Sequence, residues 1–163
     1  MIAQREITVA FTGHRTYDGS IDEAVENAVR RLYDRGFRVF LTGMAAGFDL
    51  SAGECVARLK AVLPGLQLHC VVPFAGHRSS MSGDAGRRYD RLLDVADEVT
   101  TLAIRYDSRV YHRRNDFLVE NSSAVIAYFD GRKGGTEYTV RRAVSMGLEV
   151  DNLWLGMFRD VQF

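Results

Sequence analysis

Only two prolines and two cysteines occur in this 163-residue chain, and its 21 acidic residues cancel its 21 basic ones. Two cysteines cannot build the disulfide framework of a small secreted domain, and Cys55 and Cys70 belong to no C-x-x-C unit. Each sits inside an apolar pattern, so both read as buried, reduced, structural thiols. The missing net charge removes any global field that would draw in nucleic acid or a membrane surface. Neither is an expected partner. No apolar run approaches the roughly 18 residues that span a bilayer, and no charged-then-apolar leader opens the chain. A cytoplasmic location is the expectation.

Two nucleotide signatures are also missing, G-x-x-x-x-G-K-[ST] and G-x-G-x-x-G. His69 falls in an apolar strand run as a core residue. His77 and His112 stand in loops without metal-ligand spacing to each other or to a cysteine. No metal site is expected, and no Ser-His-Asp or Cys-His arrangement is suggested.

What remains is an ordinary globular balance, 47% hydrophobic and 26% charged. A chain this long buries roughly 70% of its unfolded surface, enough for one domain over residues 1–163. Strand and helix patterns alternate throughout. Residues 7–11 form a short, nearly all-apolar run, as expected for a strand covered on both faces. Ile21, Ala24, Val25, Ala28, Val29, Leu32 and Tyr33 then recur at helical spacing. Ser20 and Glu23 read as a capping box at that helix's start, and Gly36 suits its end.

Further strands are expected over 37–41, 66–72, 98–104, 124–129 and 148–155. Helices are expected over 52–59, 89–96, 115–121 and 136–146, with a long polar loop from 74 to 88 and no clear pattern over 105–114. Strands separated by helices imply right-handed crossovers. The fold class is α/β, a three-layer Rossmann-like sandwich with a mostly parallel sheet. Trp154, Met157, Phe158 and Phe163 form an apolar tail that packs on the sheet edge or, alternatively, supports a homodimer.

Three glycine-rich turns carry the functional signal, each placed where an apolar run gives way to a helix. Glycine lets the backbone approach a ligand, and a helix N-terminus adds partial positive charge. In the first turn, Gly13 is followed by His14, a hydrogen-bond donor or acid–base group, and Arg15, a forked partner for phosphate. Gly43, Met44 and Gly47 shape the second turn, whose backbone would face the ligand. Asp49 there is either a helix N-cap or a carboxylate for ribose hydroxyls or a base. The third turn is Lys133, Gly134, Gly135 and Thr136, with Thr136 placed to cap a helix and meet an anion. Upstream, Arg113, Arg114 and Asn115 form a polar cluster able to neutralise a diphosphate. If the strands are parallel, all three turns share the ligand-binding edge of one sheet.

The stretch from Leu41 to Asp49 resembles the strand-turn-helix signature of the DprA/Smf proteins. Arg114–Asn115, the strand at Ala124 and Gly134-Gly135-Thr136 resemble their second and third conserved stretches. With Thr12-Gly13-His14-Arg15, the chain from Ile7 to about Leu155 resembles the YpsA-like family of the SMF/DprA–LOG superfamily. That resemblance implies a Rossmann-like fold and a pocket for a nucleotide or ADP-ribose-like ligand, lined by the turn residues named above. Two departures limit it. The LOG phosphoribohydrolases carry a glutamate three residues after the threonine of the third turn, where this chain has Thr139. Glu137 is nearby but would point elsewhere on a helix, where even neighbours one apart diverge by about 100°. DprA binds single-stranded DNA, which needs a positive groove with stacking aromatics, and this chain has no net positive charge to support one.

The leading expectation is therefore binding or sensing of a nucleotide-like small molecule. An alternative is hydrolysis of an N-glycosidic or phosphoester bond, with Glu137, Asp49 or His14 as acid or base and Arg114 holding phosphate. A DprA-like single-stranded DNA binder is the third reading.

Overall fold

The computed structural model describes residues 4–156. Six strands, β1 (Thr8–Gly13), β2 (Val39–Thr42), β3 (Gln67–Val72), β4 (Glu98–Thr101), β5 (Ala124–Tyr128) and β6 (Glu149–Asn152), form one sheet in the order β4-β3-β2-β1-β5-β6. Every pairing is parallel, with Val9 beside Phe40 on one side and Ala124 on the other. The connecting helices are α1 (Asp22–Asp34), α2 (Phe48–Leu59), α3 (Gly83–Val95), α4 (Val110–Glu120) and α5 (Gly135–Ser145), with a short α6 (Leu153–Gly156) at the end.

Strand alternation divides the core in two. Val9, Phe11, Phe40, Leu68, Cys70 and Ile126 point to one face, where Val25 and Val29 of α1, Val56 of α2 and Leu92 of α3 cover them. Ala10, Leu41, Val71, Val125 and Ala127 point to the other, covered by Leu118 and Val119 of α4 and Ala143 of α5. This is the three-layer α/β sandwich with a parallel sheet that the strand–helix alternation implies. Cys55 and Cys70 are free and buried, and burial pushes both thiols up to about 12. Among the described residues no helix is long and apolar enough to cross a membrane.

Several boundaries differ from expectation. The Ser20–Glu23 capping box does not form: the Ser20 amide donates to Asp18 Oδ1 at 3.0 Å, and α1 starts two residues later. The Tyr17 hydroxyl supports that start instead, donating to Asp22 Oδ1 at 2.6 Å and accepting from the Ile21 amide at 3.1 Å. The expected loop over 74–88 contains a 3₁₀ turn (His77–Ser80) and the first half of α3. That helix buries only Gly86, Tyr89 and Leu92, a stripe too thin to register as periodicity.

Likewise α4 starts at Val110 rather than Asn115: its first turn buries only Val110, with His112 and Arg113 exposed, so no apolar stripe announces it. The strand expected to reach 104 ends at Thr101, on an edge where Ile104 stays 86% exposed. At the far edge, Asn152 Oδ1 accepts from the Phe129 and Trp154 amides, turning β6 into α6 where a longer strand was expected. Trp154 packs edge-on against Tyr128. Met157, Phe158 and Phe163 lie outside the described residues.

Candidate functional site

The chain leaves β1 toward β2 on one side and returns to β5 on the other, so strand order reverses between β1 and β5. Crevices at such a reversal, outside the carboxyl ends of the strands, are where open α/β sheets hold ligands. A cleft of about 320 Å³ opens there. From the end of β1 and the turn after it come Thr12, Gly13, His14 and Arg15; from the β2–α2 turn, Ala45, and from the first turn of α2, Asp49. Helix α4 supplies Tyr111, Arg114, Asn115 and Leu118, and the β5–α5 turn supplies residues 132–136. The volume lies at the low end of the roughly 300–1,000 Å³ of small-molecule sites.

Arg114 and Asp49 form the floor. Asp49 is 5% exposed and Arg114 also 5%. The Arg114 guanidinium donates from Nη1 to the Gly43 carbonyl at 2.7 Å and from Nε to Asn115 Oδ1 at 2.9 Å. Asp49 Oδ2 accepts from the Ala45 amide at 3.3 Å, while its Oδ1 is buried with no partner. Burial raises the Asp49 carboxyl to about 6, against the opposing pull of Arg114. A buried, half-satisfied carboxylate beside a buried cation is a costly arrangement that a hydroxyl or amide donor from a ligand would relieve.

His14 Nε2 accepts the Asp130 amide at 2.9 Å, and burial lowers its pKa, favouring the neutral ring that can accept. Asp130 Oδ1 lies 2.9 Å from the same nitrogen, so protonation would exchange an amide bond for an ion pair. Arg132 pairs with Asp130 at 2.7 Å. Arg15 and Lys133 are exposed, and the Arg15 guanidinium lies over the Tyr111 ring, 5.5 Å from its centre. The first-turn amides of α5 have no partners within the helix, and Gly134, Gly135 and Thr136 carry them to the cleft wall.

The expected glycines play a different part from the one foreseen. Gly43 and Gly47 face protein rather than the open cleft. A Cβ at Gly43 would strike the Arg114 side chain, and one at Gly47 (φ 79°) would strike the Arg15 carbonyl. These glycines let the first and second turns and α4 close on one another. Met44 holds a left-handed backbone (φ 65°), and its side chain is fully buried in the core. Asp49 is no N-cap: α2 begins at Phe48 behind Gly47, so Asp49 projects from the helix's first turn. Thr136 is likewise inside α5, whose cap position is Gly134.

Two other residues fall outside the cleft. Arg113 turns away and pairs with Asp107 at the surface. Glu137 does not line the cleft and lies 3.5 Å from Arg141. At the LOG glutamate's position, Thr139 is fully buried and donates to the Gly135 carbonyl at 2.9 Å. Among the described residues, no three His, Cys, Asp or Glu side chains gather as metal ligands do.

Sequence reasoning placed Lys133 in the third turn but did not single out Tyr111, Arg132 or Leu118. The Arg132–Lys133 pair directly before Gly134 was a visible signal; Tyr111 lay where no pattern announced a helix.

Comparison with known proteins agrees with this architecture. The YspA SLOG family profile matches residues 5–152, and the chain belongs to that family. It is 30% identical to an uncharacterised SPbeta prophage-derived protein, YoqJ, of Bacillus subtilis, over 60% of this chain and 64% of that one. It is 30% identical to a UPF0398 protein of Halalkalibacterium halodurans, over 71% of this chain and 62% of the relative. The chain thus spans less than two thirds of either relative.

Among solved structures, DNA processing protein A of Streptococcus pneumoniae matches 88% of this chain and 48% of its own, with a TM-score of 0.66 at 20% identity. The Helicobacter pylori protein, described for its single-stranded DNA binding mode, matches 88% of this chain and 63% of its own, with a TM-score of 0.63 at 18% identity. At such identities the likeness is one of fold. It gives no support to the expectation that nucleic acid is an unlikely partner.

Proposed function

We propose that this member of the YspA SLOG family binds a nucleotide or nucleotide-derived phosphorylated small molecule in the cleft between β1 and β5. One observation carries the reading: Arg15, Arg114, Arg132, Lys133 and the start of α5 converge on a cleft whose buried Asp49 has one oxygen without a partner. The cations and helix amides take the phosphate. Asp49 Oδ1 takes a hydroxyl or amine donor from the rest of the ligand. No acid–base role is assigned to Glu137, which lies outside the cleft lining.

Thermal denaturation against a panel of nucleoside phosphates and ADP-ribose tests this. Ligand at a hundred times Kd stabilises the fold by about 2.7 kcal/mol. For this chain length that raises Tm by about 5–10 °C. Lys133→Ala should shrink the shift without lowering the ligand-free Tm, since Lys133 is exposed. No shift with any member of the panel overturns the reading.

The fold shared with a single-stranded DNA binder favours a second reading, in which the same cations meet the phosphates of an oligonucleotide. Electrophoretic retardation separates the two. Binding that falls steeply with added salt is the mark of phosphate contacts along a strand.

A further inference from the structure

A second, smaller cavity of about 100 Å³ adjoins the cleft and shares Arg15, Ala45 and Tyr111 with it. Its remaining lining is Ala46, His77, Ser80 and Met81. The wall common to both is therefore an arginine lying over a tyrosine ring. Behind it stands an aromatic cluster: His77, Phe74 and Tyr106 have ring centres within 6.3 Å of Tyr111. An anion-holding cleft opening sideways into a pocket with an aromatic wall is built for a ligand of two unlike parts.

We propose that the ligand is bipartite, a nucleotide whose phosphate occupies the main cleft and whose neutral single-ring base, a pyrimidine, enters the side pocket past Arg15 and Tyr111. The inference rests on the phosphate-binding reading of the cleft and adds the base to it. Size sets the upper limit: an apolar cavity of about 150 Å³ holds benzene, so about 100 Å³ opening into the main cleft takes at most one ring, part of it still in the opening, and has no room for a fused purine.

The lining sets the neutrality. The side pocket has no carboxylate to meet a cationic ring. His77 is 2% exposed, with Nδ1 3.1 Å from the Tyr89 hydroxyl. Burial, then the charges of Arg114 and Arg15, push its pKa down to about 4. The histidine is neutral at physiological pH and can exchange a hydrogen bond with a neutral base.

Calorimetric titration with UMP, AMP and ribose-5-phosphate decides the matter. Burying one ring against aromatic neighbours should make UMP bind about ten- to a hundredfold tighter than ribose-5-phosphate. AMP should gain little over ribose-5-phosphate. Ser80 sits at the exposed rim of the side pocket. Ser80→Trp, with its melting curve checked against wild type, should bring UMP down to the ribose-5-phosphate level and leave ribose-5-phosphate where it was.

Equal affinity for UMP and ribose-5-phosphate in the wild type overturns the side-pocket assignment while the cleft reading stands. AMP binding as tightly as UMP overturns the single-ring limit and the proposal with it. If none of the three binds, the cleft reading falls first and the bipartite ligand falls with it.

Discussion

Two clefts open at opposite ends of β5, and they treat charge in opposite ways. At the amino end, about 250 Å³ is lined by Arg31, Arg35, Glu149 and Asp151, with Ala124 and Val125 beneath. There Arg31 pairs with Asp151 at 2.7 Å and Arg35 with Glu149 at 2.9 Å, all four side chains at least a third exposed. Each charge has its partner and its water. At the carboxyl end a slightly larger cleft buries Asp49 and Arg114, leaves Asp49 Oδ1 without a partner, and adds the amides of a helix start. Volume hardly separates the two. Unmet polar demand does, because a fold that bears such a cost unaided is one that a ligand can stabilise.

The sharpest way to break this contrast is to remove the buried cation. Arg114→Met removes the positive charge beside the Asp49 carboxylate and leaves the Gly43 carbonyl and Asn115 Oδ1 without their donor, and should cost about 3–5 kcal/mol near pH 7. The pH dependence follows from the raised carboxyl. Unfolded, Asp49 releases its proton near 3.8; folded, it holds it to about 6. Between those values the folded state binds more protons, so this group's contribution to stability falls as pH rises and is lowest above 6. Without Arg114 the carboxyl moves higher still, and the variant's deficit should narrow toward pH 5. Urea midpoints at both pH values measure it. A loss under about 1 kcal/mol would class the pair with ordinary exposed ones.

Next in size is Gly47→Ala. Its left-handed φ and the contact with the Arg15 carbonyl should together cost about 2–4 kcal/mol. Gly36, at the end of α1, has φ 101° but nothing within 4 Å of a would-be Cβ. Gly36→Ala should cost only about 1 kcal/mol. Equal losses at the two positions would show that conformation alone, and not the closing of two turns on each other, fixes glycine at 47.

That pair also shows how far the sequence could be read. Parallel strands buried on both faces announce themselves as apolar runs, so the strand–helix order and the ligand-binding edge were legible. Gly13, His14, Arg15, Asp49, Arg114, Asn115 and the 134–136 turn were placed on one edge, and the structure brings them to one cleft. Less legible was what each does there. Gly43 and Gly47 looked like backbone offered to a ligand, yet they are clearance for Arg114 and for the first turn, a contact between distant segments. Arg113 and Arg114 looked equivalent; one residue of helical rotation sends the first to Asp107 and buries the second. Helices α3 and α4 started earlier than expected because their first turns bury few apolar groups.

A smaller effect concerns His77. Its neutral form is the folded one, whereas the unfolded chain takes up a proton below 6.5. The stability it contributes is present above 6.5 and lost as pH falls toward 4, opposite in sign to Asp49. His77→Gln should flatten the acid limb of the wild-type stability profile. An unchanged limb would mean that the ring is already charged beside Arg15 and Arg114.

Least of all should follow from Arg31→Ala at the amino-end cleft. An exposed pair of this kind contributes about 0–1 kcal/mol, so its loss should move Tm by no more than a few degrees. The binding readout matters more, because the variant deletes a cation from a cleft nearly as large as the proposed site. Nucleotide affinity should not change, since Arg31 and Asp151 sit beyond the opposite end of β5 from the 132–136 turn. A severalfold fall in affinity would instead place the ligand at the amino end, where size alone pointed equally well. Paired and exposed charges would then have bound what unpaired and buried ones did not, and the distinction between the two clefts would lose its physical basis.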